Sequence, residues 1–264
     1  GTFYTSEQVG SIKLQYDPQD SAAGSREDVA PRSTGELSLY VIPKTDEELT
    51  VRVQLDIAAY MEIQVPAENS EEGESETKLI RISDAQALRD TALGLGEEEI
   101  SNYLAAADYL KGHIMFFGSK GNVENANEAE RYYFSTPYTE RVIEQTIPAG
   151  NQNKAIEVPI YWVWPNTLGQ IALPDNASNQ RNGYPVVADS DATGKGKLKD
   201  YLKRNKSSVF YNSENITDES IETIFAGYNK AAFDLLSQGY NQADFAIGKS
   251  VAYFLIEVSV MKSE

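Results

Sequence analysis

One run of residues limits the fold more than any other feature: Leu49–Val65, LTVRVQLDIAAYMEIQV. Val51, Val53, Leu55, Ile57, Ala59, Met61, Ile63 and Val65 share one parity, and Arg52, Gln54, Asp56, Glu62 and Gln64 occupy the other. A period of two sends alternate side chains to opposite faces of an extended chain, so this run predicts a long strand with one buried and one wet face. A bulge is expected near Ala58-Ala59, where the polar parity lapses. A strand of this length belongs to a sandwich or a barrel.

Three further segments alternate in the same way. Ser11–Tyr16 sets Ile12 and Leu14 against Lys13 and Gln15. Glu157–Trp164 places Val158, Ile160, Trp162 and Trp164 on one parity, and Pro159 predicts an edge position or strand start because it has no N–H to donate. Val251–Val260 aligns Ala252, Phe254, Ile256, Val258 and Val260. Shorter strands are expected at Leu37–Ile42, Lys78–Ile82, Ile114–Phe117, Arg131–Phe134 and Arg141–Ile147. One-sided alternation favours antiparallel pairing. The expected fold is mainly β, an antiparallel β-sandwich forming a single domain over 1–264 with helical insertions.

The insertions are expected around 84–111, 196–205 and 218–238. Ser83 is placed to cap Asp84–Leu93, which Gly94-Leu95-Gly96 ends, and Glu97–Lys111 opens with three acids that suit a helix N-terminus. Thr217 or Asp218 caps a segment through Ser237, with Gly239 as its stop and Ile221, Ile224, Phe225, Tyr228, Ala232 and Leu235 or Leu236 as its apolar stripe. Glu68–Thr77, ENSEEGESET, reads as an acidic hairpin tip.

Composition closes several routes. The 264 residues carry 23 Lys+Arg against 40 Asp+Glu, a net charge of −17, with no Cys and one His. Disulfides, thiolate chemistry and Cys-held metals are excluded, as is any site that needs two imidazoles. The acidic balance disfavours nucleic acid and anionic membrane surfaces as partners. The longest apolar stretch, Phe245–Val260, is interrupted by Lys249, Ser250 and Glu257, so no transmembrane segment is expected.

Catalytic motifs are lacking. His113, between Gly112 and Ile114, reads as a structural histidine. There is no G-x-S-x-G elbow, no Walker sequence, and Gly94-Leu95-Gly96 lacks the third glycine of a dinucleotide turn. The chain is therefore read as not an enzyme and as having no cofactor, with calcium the one exception to weigh. Asp189–Asp200, DSDATGKGKLKD, sets Asp189, Asp191 and Thr193 at positions 1, 3 and 5 of an EF-type loop, Gly194 at 6 and Asp200 at 12. Gly196 at position 8, Asp instead of the longer Glu at 12, and three Lys argue for a solvated turn leading into a short helix. The basic run Lys195–Lys206 either docks an acidic surface of a second copy or forms a solvated helix face. Tyr132, Tyr138 and Tyr161 are candidate aromatics for holding a glycan, against the alternative of cross-strand packing.

Three stretches together resemble the camelysin/TasA-type family of exported Gram-positive proteins, which follow a SipW-dependent leader. The start, TFYTSEQVGSIKLQYDP, is similar to the family's mature N-terminus through Phe3, Thr5, Val9-Gly10, Ile12, Leu14 and Pro18. Ile147–Gly150 with Val158–Pro165 resembles its late Trp-x-Trp-Pro strand, and Tyr240–Val260 its terminal strand. The resemblance implies a jelly-roll-like sandwich, secretion or display at the cell surface after leader removal, and, for some relatives, polymerisation into biofilm-matrix fibres. In such fibres the N-terminal strand, here carrying Phe3, Ile12 and Leu14, completes a neighbour's sheet. Partners would be further copies, other surface or matrix proteins, or glycans. Camelysin-type members have been called metalloproteases, but this chain has no His pair.

The same idea has a physical basis. A strand near a free terminus can join an exposed edge elsewhere, and head-to-tail addition that does not close yields a filament. Asp17–Arg32 would serve as the hinge. The alternatives are pairing within the chain itself, a surface adhesion or carbohydrate- or calcium-binding module, and a hydrolase built on facing carboxylates.

Overall fold

The computed structural model describes residues 12–15, 34–67, 73–91, 93–118, 120–124, 131–134, 141–165, 167–168, 185–187, 192–226 and 229–262. Its first strands are β1 (Ile12–Gln15), β2 (Thr34–Val41), β3 (Leu49–Pro66) and β4 (Ser75–Arg81). Helices α1 (Ala85–Arg89) and α2 (Glu97–His113) follow. Next come β5 (Met115–Phe117), β6 (Lys120–Glu124), β7 (Arg131–Phe134), β8 (Val142–Ile147), β9 (Ile156–Val163) and β10 (Pro185–Val187). Helices α3 (Ala192–Arg204), α4 (Lys206–Val209), α5 (Asp218–Ala226) and α6 (Lys230–Ser250) then lead to β11 (Tyr253–Lys262).

The alternating run is the spine. β3 pairs antiparallel with β11 along one edge, while β8 and β4 share the other edge in turn. Every register along β3 is continuous, so the expected bulge at Ala58-Ala59 is absent. Ala58 and Ala59 are both buried: the polar parity lapses there because the strand is covered on both faces. Beyond β11 lies β1, which completes a five-stranded antiparallel sheet. A second antiparallel sheet has the order β2-β9-β5. A third has the order β10-β7-β6, with β10 and β7 parallel.

The first two sheets share one core. Val51, Val53, Leu55 and Ile57 of β3 and Phe254, Ile256 and Val258 of β11 join Leu37 and Leu39 of β2 and Val158, Ile160 and Trp162 of β9. Leu88 of α1 and Ile100, Ala106 and Leu110 of α2 enter the same core. Pro159 lies on the central strand β9 and not on an edge strand. However, β5 reaches only Tyr161–Val163, so Pro159 sits where β9 pairs with β2 alone among the described residues.

The expectation of a mainly β protein needs correction, because the fold is mixed α/β. β5 and the end of β9 that pairs with it are covered on both faces. Phe116 and Trp162 point into the first core, whereas Met115, Phe117 and Val163 enter a second. That second core is built by helices: Leu198, Tyr201 and Leu202 of α3, Val209 of α4, Ile221 and Ile224 of α5, and Leu236 and Tyr240 of α6. These helices pack with β5 and the end of β9 around that second core. Among the described residues no helix is long and apolar enough to cross a membrane.

Two helix limits also differ from expectation. Asp84, not Ser83, caps α1, its side chain accepting from the Ala87 N–H at 2.8 Å. The segment expected to run unbroken from 218 to 237 is two helices. Asn229 caps the second, accepting from the Ala232 N–H at 3.1 Å, and α6 passes through Gly239 to Ser250. Gly239 serves close approach instead of termination: a Cβ there would lie 3.2 Å from the Tyr211 carbonyl oxygen and 3.3 Å from the Phe210 Cβ.

Candidate functional site

The N-terminal strand occupies an edge. Four residues of β1 pair antiparallel with the start of β11, in the register Ile12↔Ile256, Lys13↔Leu255, Leu14↔Phe254 and Gln15↔Tyr253. Ile12 and Leu14 thus stand opposite Ile256 and Phe254, both fully buried, while Lys13 and Gln15 stand opposite the half-buried Leu255 and Tyr253. A four-residue ladder is short, and among the described residues only one of its two edges is paired. Phe3 lies outside the described residues.

The other expected site residues do not come together. Asp189, Asp191 and Tyr138 lie outside the described residues. Thr193 and Asp200 both belong to α3, so the fifth to twelfth places of the EF-type pattern run along one helix. Tyr132 is on β7 of the third sheet. Tyr161 is on β9, half-buried and packed against the second core. Exposed aromatic surface is instead found where α2 faces α6, at Tyr211 and Phe245.

His113 lies deep between the helices, 1 % exposed. Its Nδ1 is 2.7 Å from Asp244 Oδ1 and its Nε2 is 2.7 Å from the Val209 carbonyl oxygen. A carbonyl only accepts, so the ring is oriented with Nε2–H toward Val209 and Nδ1 toward Asp244. The ring stacks on Tyr240 with centroids 3.9 Å apart and planes 8° apart. Asp244 Oδ1 also accepts from Trp164 Nε1 at 2.8 Å, and the Tyr240 hydroxyl donates to the Pro165 carbonyl at 2.6 Å. Burial pushes the Tyr240 hydroxyl well above the ordinary tyrosine range, with the Asp244 charge adding to the effect, so it stays a donor. The cluster ties α2, α4 and α6 to the end of β9. The sequence could not pair His113 with Asp244, because the two meet only through tertiary folding.

Compared with known proteins, the chain matches no family model, no curated protein and no solved structure.

Proposed function

We propose that this protein is a secreted or cell-surface structural subunit of a Gram-positive bacterium, built on a jelly-roll-like frame, that self-assembles by lending its N-terminal strand to a neighbour's sheet. The observation that carries the reading is β1: a four-residue strand that, among the described residues, lies at the sheet edge and is held by an antiparallel ladder to β11 alone. Exchange of such a strand conserves every ladder bond. The same backbone pairs form whether β1 comes from its own chain or from a neighbour, so concentration decides the outcome. An uncovered β11 edge would bare the strand that carries Phe254 and Ile256, which gives the edge a reason to be filled. Because donor strand and acceptor edge are different surfaces, repeated exchange is head-to-tail and extends into a filament. Two antiparallel sheets sharing one core support the sandwich frame.

The test compares the full chain with one lacking Thr2–Tyr16, both concentrated and viewed by negative-stain electron microscopy. Filaments are expected from the full chain and none from the truncated one. Filaments from both, or from neither across pH and salt, would overturn the proposal.

A further inference from the structure

We infer that the groove between α2 and α6 is a binding site for a neutral oligosaccharide. Its volume is about 480 Å³, within the range of small-ligand sites. The inference does not rest on strand exchange, since neither β1 nor β11 contributes to the groove.

Helical spacing builds the walls. On α2, Asn102 and Tyr103 lie three and four residues after Glu99; on α6, Gln242, Phe245 and Lys249 follow one another at intervals of three and four. Ala105 and Ala246 also line the groove, and their short side chains leave it hollow. Tyr211 closes one end, held beside α6 by its N–H donating to the Gly239 carbonyl at 3.0 Å. Its ring lies 6.4 Å from that of Tyr109, tilted by 57°.

The chemistry of the lining selects the ligand. Tyr103, Tyr109, Tyr211 and Phe245 offer aromatic surface, and Phe245 is 67 % exposed. The side-chain amides of Asn102 and Gln242 line the same groove with no hydrogen-bond partner among the described residues. Burial raises the Tyr103 and Tyr109 hydroxyls above their ordinary range, so both remain neutral donors. A sugar ring supplies the matching pair of features: an apolar C–H face to lie on an aromatic ring, and hydroxyls that both donate to and accept from amides.

Charge argues against the alternatives. The groove holds one carboxylate, Glu99, and one ammonium, Lys249, so it is near neutral in a chain of net charge −17. A nucleotide would find a single cation for its phosphates. A cationic ligand would meet Lys249, whose Nζ already sits 4.3 Å over the Phe245 ring. An extended peptide finds no strand edge, because both long walls are helices.

The test titrates the full chain with chitotetraose, cellotetraose and laminaritetraose by isothermal calorimetry, beside the Phe245→Ala, Phe245→Tyr and Gln242→Ala variants. Saturable binding of at least one sugar is expected. Phe245→Ala and Gln242→Ala should each weaken it about tenfold, with Phe245→Tyr close to the parent, because one ring or one hydrogen-bonding group is worth roughly that factor. Phe245 is exposed, so Phe245→Ala should keep the parent melting temperature. No saturable heat with any of the three sugars, or binding that Phe245→Ala and Gln242→Ala leave unchanged, would overturn the inference.

Discussion

Replacing Asp244 by Ala should lower the unfolding free energy by about 2–6 kcal/mol, because each of the two buried groups it serves costs about 1–3 kcal/mol when left without a partner. The His113 side chain is fully buried and Asp244 nearly so, at 12 % exposure, so water cannot readily replace the lost carboxylate. The substitution deprives two groups at once, since Asp244 Oδ1 lies 2.7 Å from His113 Nδ1 and accepts from the Trp164 indole. It also leaves the imidazole facing only the Val209 carbonyl while stacked on Tyr240. Asp244→Asn retains a carbonyl oxygen for the Trp164 N–H and should cost less than Asp244→Ala. Urea unfolding followed by circular dichroism measures both. A loss below about 1 kcal/mol for Asp244→Ala, the scale of an exposed pair, would mean that the cluster is open to solvent.

Gly112→Ala should be comparably damaging for a different reason. A Cβ on Gly112 would lie 2.0 Å from the Ser208 carbonyl oxygen and 2.4 Å from its carbon, so α2 and α4 would have to separate. That movement strains the neighbouring bonds, the Tyr201 hydroxyl to the Gly112 carbonyl at 2.8 Å and the Ser208 hydroxyl to Asp108 at 2.8 Å. Overpacking against backbone costs about 3 kcal/mol or more when nothing nearby can yield. Gly196→Ala is the matched control. Gly196 also lies in a helix, but a Cβ there meets nothing within 4 Å, and the change should raise stability by roughly 0.5–1 kcal/mol through helix propensity. Thermal melts of the two variants should move in opposite directions. Equal shifts would show that the α2–α4 approach is not as close as described.

Features that repeat along one element were legible in the sequence. Period-two alternation marked β3, β9 and β11 to within two residues at either end, because one face of each lies on a continuous core. The three leading acids marked the start of α2. Features that depend on what an element meets were not legible. Gly239 carries the same signal as a helix stop, yet it sits within α6 because Tyr211 packs against it. Met115–Phe117 reads as a strand, but its burial on both faces is set by distant α3, α5 and α6. The second core, which Leu198, Leu202, Ile221, Ile224 and Leu236 build with Phe117 and Val163, was not legible for the same reason. The aromatic groove was missed because Tyr103, Tyr109, Tyr211 and Phe245 come from three separate segments, and Phe245 read as the start of an apolar stretch.

The central claim is that β1 of one chain pairs with β11 of another. The chain has no cysteine, so engineered thiols report on this without interference. Lys13 and Leu255 are directly opposite across the ladder, at a separation that suits a disulfide. The double variant Lys13→Cys/Leu255→Cys should close a disulfide within the dilute monomer and then fail to form filaments until reduced. The decisive sample mixes Lys13→Cys chains with Leu255→Cys chains at high concentration under mild oxidation. Strand exchange predicts a disulfide-linked heterodimer that accumulates as filaments grow. If the double variant cross-links internally but the mixture forms no bond between chains, β1 stays with its own sheet and the assembly account is wrong.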